Sequence, residues 1–326
     1  IRFNARRGEY GPGDSETQVQ ERIARYKRIR THRYRHARPD GQVIEVRGSP
    51  LPDGGTISSY RDVTSETRLA EQQSNDHRIA HQLQASLMPS AALLKQISAD
   101  CGLSVRALCR QADEVGGDFW GIQKQNNRSV AFYVIDTVGH GFTASHNAFR
   151  IHTLVAQYFS TWESLEGWVD WVNRQMLDLL DVGHFATYVF GGIDLNEKQL
   201  TYSAGGYPSF LVGQSGSNTE PAFADTSGLP LGISSDKPNV IRTINLPHDW
   251  ILLFYSDALI EAEVSERQYL DEDVMGSIFS RGCAGGHVDY LFATLEEVVG
   301  TWFPGGITDD LTLICMGDLS NDQRQD

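Results

Sequence analysis

Cysteine is scarce in this sequence. Cys101, Cys109, Cys283 and Cys315 are scattered, and none lies in a CxxC or mixed Cys/His spacing. Neither a disulfide framework nor a zinc site is indicated, and buried free thiols are expected. Long apolar runs are missing too: nothing approaches the roughly 18 residues that would span a bilayer. The basic start IRFNARRGEYGPGD lacks the apolar centre of a signal peptide, so a cytoplasmic protein without membrane contact is expected. Basic residues are in deficit, with 28 Lys and Arg against 42 Asp and Glu. The deficit is uneven: residues 1–64 carry 13 basic against 8 acidic side chains, and the remainder 15 against 34. Two modules with different surfaces are implied. An acidic larger module excludes nucleic acid as its natural substrate, because phosphate backbones are gripped by Lys and Arg. Internal repeats and low-complexity segments are also absent.

Between Tyr34 and Val63 strand-like runs alternate with turns: RYRHA, PDGQ, VIEVRGSP, LPDGG and TISSYRDV. Asp40-Gly41 and Asp53-Gly54-Gly55 supply the backbone angles of tight hairpins, so an antiparallel meander is predicted. Such a sheet is too small to stand alone, and an N-terminal truncation of a longer chain is expected. From residue 65 to about 90 the text is free of Gly and Pro until Pro89, with Leu69, Ile79, Leu83 and Leu87 at helical intervals. A connecting helix is predicted, either packed on a core or pairing as a dimerising coiled coil over 65–88.

Beyond it come the β-rich runs VRALCRQA, SVAFYVID, FATYVFGGID, QLTYSAGG, SFLVG, WILLFYSD and LTLICM, with helical stretches at 144–159 and 165–180. Several runs are apolar throughout, which places them in sheets covered on both faces. An α/β (α+β) sandwich is predicted for residues 91–318, two antiparallel sheets flanked by helices, followed by a polar tail at 319–326. Residues 214–226 read as an exposed loop.

Aspartates recur at the ends of these runs: Asp118 after Val115-Gly116-Gly117, Asp136 after SVAFYVI, Asp257 after WILLFYS, and Asp309-Asp310 before LTLICM. Carboxylates gathered without basic partners repel one another, and a hard divalent cation relieves that repulsion. Oxygen-only donors favour Mg²⁺ or Mn²⁺ over zinc. Any one of these residues alone reads as a solvated turn aspartate; the joint pattern points to a metal site. In Asp136-Thr137-Val138-Gly139-His140-Gly141 two glycines let the chain turn tightly, so a backbone carbonyl can approach a metal. His140 is either a packed turn residue or a functional group. VGGD lacks a following GK[ST] and is no nucleotide loop.

The ordered motifs ADEVGGDFW, VIDTVGHGFTA, FATYVFGGIDLNEKQLTYSAGGYPSFLV, GLPLGI, LLFYSDALIEA and TDDLTLI resemble the SpoIIE/RsbU-type phosphatases of the type 2C, metal-dependent superfamily. The resemblance runs from about residue 80 to 317. Residues 8–73 are similar to the C-terminal half of a PAS sensor domain, which implies a partial PAS-like module over 1–64. The resemblance implies two Mn²⁺ or Mg²⁺ ions, Asp136 bridging them, the carbonyl of Thr137 as a further ligand, Asp257 and Asp309 as direct ligands, and Asp118 acting through water or assisting a metal. It implies His140 as a general acid or orienting group, and leaves Asp310, where relatives often have Asn, without a settled role.

Relatives often read AGHxP where this chain has Ala204-Gly205-Gly206-Tyr207-Pro208, and TDG where it has Ser256-Asp257-Ala258. Tyr207 is read as standing for the histidine, and Ala258 as adding a methyl group beside the site. The resemblance implies a PAS-regulated serine/threonine protein phosphatase whose partner is a phosphorylated anti-sigma-factor antagonist. A catalytically silent binding module of the same fold is the other reading.

Overall fold

The computed structural model describes residues 1–10, 12–27, 31–52, 56–72, 88–112, 116–126, 128–137, 142–159, 164–180, 183–217, 219–261, 263–265, 268–303, 307 and 309–318. The chain divides into two compact units, Ile1–Ile79 and Ala80–Asp326.

In the first unit, helices α1 (Arg2–Arg6) and α2 (Ser15–Lys27) precede strands β1 (His32–Ala37), β2 (Val43–Pro50) and β3 (Thr56–Asp62). The strands form an antiparallel sheet in the order β1-β2-β3, the predicted meander. Central β2 buries Ile44 and Val46, and also Glu45, which is 2% exposed and ringed by Arg33, Arg35 and Arg47 at 2.7–3.4 Å. A buried carboxylate is tolerable only with such partners. Between α2 and the sheet lies a cavity of about 440 Å³, lined among others by Tyr10, Arg22, Tyr34 and His36. The Arg22 guanidinium lies 3.5 Å from the centre of the Tyr10 ring. Residues 64–72 form a helix, α3; residues 73–87, which carry most of the predicted connecting segment, lie outside the described residues.

The second unit is a four-layer sandwich. Its elements are α4 (Ala91–Cys101), β4 (Leu103–Arg110), β5 (Phe119–Asn126), β6 (Ser129–Thr137), α5 (Phe142–Phe159), α6 (Leu165–Leu179), β7 (Ala186–Asp194), β8 (Gln199–Gly205), β9 (Leu211–Gln214), β10 (Ala222–Phe223), β11 (Arg242–Asn245), β12 (Trp250–Tyr255), β13 (Glu263–Ser265), β14 (Gln268–Tyr269), α7 (Glu272–Ala284), α8 (Val288–Trp302) and β15 (Leu311–Asp318). One sheet runs β10-β9-β12-β15-β4 and the other β11-β8-β7-β6-β5, and every pairing within them is antiparallel.

Strand alternation explains why the central runs are apolar on both faces. On β6, Phe132 and Val134 point into the core between the sheets, where they meet Phe254, Ile314 and Met316. Their neighbours Ala131, Tyr133 and Ile135 point outward, under α5 and α6, with Phe159, Trp168 and Val172. On the other sheet Leu253, Tyr255, Leu313 and Cys315 pack beneath α7 and α8 against Phe279, Leu291 and Leu295. Each fully buried side chain of this size contributes about 1.5–3 kcal/mol of transfer free energy, so three stacked cores fix the layers firmly.

Helix starts follow local chemistry. Ser90, Ser164 and Asp271 cap α4, α6 and α7 by accepting from the amides of Leu93, Gly167 and Val274. Helices α4, α7 and α8 are additions to the two predicted helical stretches, which are observed as α5 and α6. The expected loop 214–226 begins inside β9 and contains β10, a two-residue strand paired to Leu211 and Val212. Cys283 and Cys315 are buried, but Cys101 is half-buried and Cys109 exposed, which corrects the expectation of uniformly buried thiols. Among the described residues no helix is long and apolar enough to cross a membrane.

Candidate active site

The hairpin β5–β6 sets the first half of the site. Phe119 pairs with Ile135, and the register continues past the strand end, with the Thr137 amide donating to the Gly117 carbonyl at 3.3 Å. Asp118 therefore stands across from Asp136 at one rim. The two glycines before Asp118 are dictated by close approach. A Cβ on Gly117 would come 2.7 Å from the Thr137 carbonyl oxygen and 3.5 Å from Asp136 Oδ1; one on Gly116 would strike the Asp310 carboxylate. The Thr137 carbonyl and the Asp136 carboxylate thus border the same spot above Gly117.

The second half comes from the other sheet. β12 ends in a 3-10 turn, Asp257–Leu259, and β15 begins directly after Asp309 and Asp310. Ser256, 1% exposed, joins them: its hydroxyl donates to the Asp310 carbonyl at 2.9 Å and accepts from the Thr312 amide at 2.9 Å. Asp310 then reaches across to the first sheet. Its carboxylate accepts the amide of Ala112, just past β4 in its own sheet, at 3.0 Å, and that of Gly117, just before β5 in the other, so the rims of the two sheets are fastened to each other. Asp309 is exposed, and its Oδ1 accepts the Asp310 amide at 2.8 Å.

Electrostatics follow from this crowding. Asp118 is 6% exposed; burial raises its pKa well above the ordinary carboxylate value, and the negative charges of Asp136, Asp310 and Asp257 raise it further. The Thr312 hydroxyl lies near enough to ease this in part, without making a well-formed hydrogen bond to Asp118 Oδ2, which is buried and unpartnered. Asp136 is pushed up to about 7, by burial first and then by the charge of Asp257, with a hydrogen bond to Asp118 pulling the other way and Asp309 and Asp310 adding to the rise. Asp257 is raised by burial, Glu261 and Asp309, against the pull of the Ala258 amide. The strongest charges acting on these groups are all negative.

Asp118, Asp136, Thr137, Asp257 and Asp309 are thus brought to one rim. They stand in electrostatic reach without closing into a cage: among the described residues no three or more His, Cys, Asp or Glu side chains gather as a ready-made metal centre. The donor set nevertheless fits a hard cation, since it is all oxygen and includes a buried carboxylate oxygen with no partner. His140, with Val138, Gly139 and Gly141, lies outside the described residues.

Ala258 sits in the 3-10 turn with ordinary backbone angles, so its methyl group introduces no strain. Tyr207 needs a correction. Matched residue by residue to AGHxP, the histidine falls on Gly206 and Tyr207 takes the variable position. Gly206 has φ +68, and a Cβ there would come 2.9 Å from Pro230, so glycine suits that place. Tyr207 is 4% exposed, with its ring in the core between the sheets and its hydroxyl unpartnered. Burial, followed by the charges of Asp118, Asp136 and Asp257, holds its phenol well above its ordinary pKa.

The family model described as Stage II sporulation protein E (SpoIIE) matches residues 126–317, more than half of the chain. The chain belongs to the SpoIIE family. Asp136, Asp257 and Asp309 fall inside the matched span and Asp118 just before it. A PAS fold model matches residues 1–72 of this SpoIIE-family chain. The phosphoserine phosphatase RsbP of Bacillus subtilis is 22% identical over 158 residues, covering 47% of this chain and 39% of RsbP. The chain thus spans well under half the length of that curated relative. Among solved structures, the SiaA-PP2C domain of Pseudomonas aeruginosa superposes with a TM-score of 0.63 at 17% identity, over 76% of this chain and 98% of that one. RsbX in complex with magnesium gives 0.50 at 18% identity, over 66% of this chain and 94% of that one. These likenesses establish the type 2C phosphatase fold.

Proposed function

We propose that this chain is a metal-dependent serine/threonine protein phosphatase that removes the phosphoryl group from a phosphoserine or phosphothreonine of a partner protein. One observation carries the reading: aspartates from the ends of two different sheets meet at one rim, where the charges of Asp136, Asp257, Asp309 and Asp310 raise the pKa values of their neighbours. Such a rim is costly unless positive charge is supplied to it. The magnesium of RsbX and the phosphoserine activity of RsbP, on the same fold and in the same family, support the same assignment.

In this reading Asp136, Asp257, Asp309 and the Thr137 carbonyl hold two Mg²⁺ or Mn²⁺ ions, with Asp118 assisting, directly or through water. When bound, such ions lower the pKa of water and offset the charge of a phosphoryl group. The chain's own part is placement. Asp310 fixes the Gly116-Gly117 turn, Ser256 fixes Asp257 against Asp309 and Asp310, and Gly117 leaves the Thr137 carbonyl accessible. His140 keeps its proposed role near the leaving oxygen as acid or orienting group.

The proposed substrate is a phosphorylated anti-sigma-factor antagonist, and the PAS-fold segment is the proposed regulator, acting through the 65–88 helix, which is also the proposed dimer contact. Ala258, one motive for a silent module beside Tyr207 and the partial sensor segment, carries no strain and gives that reading no support.

The test is Mn²⁺- or Mg²⁺-dependent release of phosphate from a phosphorylated antagonist protein, alongside Asp136→Asn. Wild-type protein that released none at any metal concentration would sink the phosphatase reading. Activity that survived in Asp136→Asn would show that the ligand assignment is wrong.

A further inference from the structure

The motif GLPLGI, residues 228–233, gives no carboxylate to the rim and has no task in the chemistry proposed above, yet the fold brings it there. On β7, Ala186 pairs with Thr137 and Thr187 with Asp136. On its other side Ala186 exchanges two backbone hydrogen bonds with Leu231, at 2.9 and 3.0 Å. The segment therefore takes the place beside β7 that β8 gives up where it ends at Gly205. Its approach is close: a Cβ on Gly205 would strike the Leu229 carbonyl, and one on Gly228 the carbonyl of Ala204.

The segment is tied down. Leu231 is fully buried in the cluster that holds Trp168 and Met176. Asn173, on α6, accepts the Gly232 amide and donates to the Ser234 carbonyl, each at 2.9 Å. The side chains on either side of that anchor nevertheless face water, with Leu229 37% exposed and Ile233 47%. A single exposed aliphatic residue calls for no explanation. These two flank a buried anchor on a tethered, irregular segment at the edge of the site, where binding residues concentrate. Neighbouring strands lie about 4.8 Å apart, so Leu231 stands about 10 Å from the Thr137 backbone, across β7. An extended peptide advances about 3.3–3.6 Å per residue, so a side chain about three residues from a phosphorylated one covers the same distance.

We propose that Leu229 and Ile233 are specificity-determining residues: they receive an apolar side chain that lies within about three residues of the phosphoserine or phosphothreonine. The occupant is the substrate's own chain, which has to lie across the residues bordering the rim to deliver its phosphate there. The inference rests on the phosphatase reading of the rim and adds to it a class of sequence. Phosphorylated segments flanked by an aliphatic side chain are preferred over those flanked by small residues only.

The experiment uses the full chain with Mn²⁺ and a set of seven-residue phosphoserine peptides, with alanine at every flanking position or leucine at one of them in turn. The probe without flanks is p-nitrophenyl phosphate. In the wild type, leucine at one or more positions is expected to raise kcat/KM about tenfold over the all-alanine peptide. In the double variant Leu229→Ser, Ile233→Ser that ratio is expected to fall to about one, whereas Leu229→Met keeps most of it. The ratio compares two substrates on one enzyme, so a variant that is merely misfolded or poorly metallated lowers both rates and leaves it untouched. Equal rates on all peptides in the wild type would overturn the proposal while the phosphatase reading stood, and so would a leucine preference that persisted in the double variant. Hydrolysis of p-nitrophenyl phosphate but of no peptide would do the same. Wild-type chain that hydrolysed no probe at any Mn²⁺ concentration would overturn both.

Discussion

The Asp310 carboxylate accepts the amide proton of Gly117, 193 positions earlier in the chain, and so ties the end of one sheet to the end of the other. The same carboxylate accepts from Ala112 at 3.0 Å. Asp310→Ala leaves the buried Gly117 amide unpaired, at about 1–3 kcal/mol, returns the exposed Ala112 amide to water, and frees the turn that presents Asp118. The expected result is a chemical denaturation midpoint lowered accordingly, and phosphatase activity reduced at least tenfold. Asp310→Asn keeps an acceptor and is expected to retain most of the stability. Equal losses in the two variants would contradict the positioning role.

Asp136 gives a pH dependence whose direction is fixed. Its pKa rises on folding from 3.8 to about 7, so the folded chain takes up a proton between those values that the unfolded chain has released. Metal-free stability attributable to this group therefore falls as pH increases through that window, by an amount on the order of 1–3 kcal/mol. Denaturation in the presence of a chelator, compared at pH 5 and pH 7.5, checks it. Asp136→Asn is expected to lessen the dependence, with Asp118 and Asp257 carrying the remainder, while abolishing turnover.

Glu45 behaves in the opposite sense. The hydrogen bond from Arg33, followed by that from Arg47, holds its pKa down at about 2 against an ordinary 4.5, in spite of burial. The stabilisation is fully present above pH 4.5 and is lost as pH falls towards 2. Hydrogen exchange across residues 32–62 is expected to quicken on acidification, and Glu45→Gln is expected to show fast exchange already at pH 6. Unchanged protection in that variant would remove Glu45 from the stability of the first unit.

Phe132 lies between the sheets with its ring centre 5.1 Å from that of Phe254 and no solvent exposure. Phe132→Ala is expected to cost about 3–5 kcal/mol in chemical denaturation, because the close-packed layers cannot collapse onto the void. A loss under 1 kcal/mol would mean that the two sheets are less tightly coupled than their packing indicates.

Much of this arrangement was legible in the sequence. The runs around Phe132 and Leu253 were readable as doubly covered strands because alternating residues serve two cores, and Asp136 and Asp257 stood out at their ends. Helices α7 and α8 were not read, in part because Gly276, Gly282 and Gly300 interrupt the helical signal with residues that favour other conformations. The linking roles of Ser256 and Asp310 escaped for a different reason. Ser256 acts on residues more than fifty positions away and Asp310 on one 193 away, so their roles exist only once β12 lies beside β15 and the sheets are stacked. Matching the AGHxP pattern letter by letter would have placed the histidine on Gly206 from the sequence alone.

Half of the acidic rim is carried by β5 and β6, and half by β12 and β15, with side-chain interdigitation between the layers and the Asp310 clasp at their ends. The rim therefore works as a vernier. A slip of one layer over the other, small enough to keep every rotamer in the cores, changes the spacing between Asp136 and Asp257 by the same amount. Spacing of carboxylates is also the quantity that a cation senses most sharply, so the interior packing of this protein and the tuning of its surface chemistry are one mechanical variable.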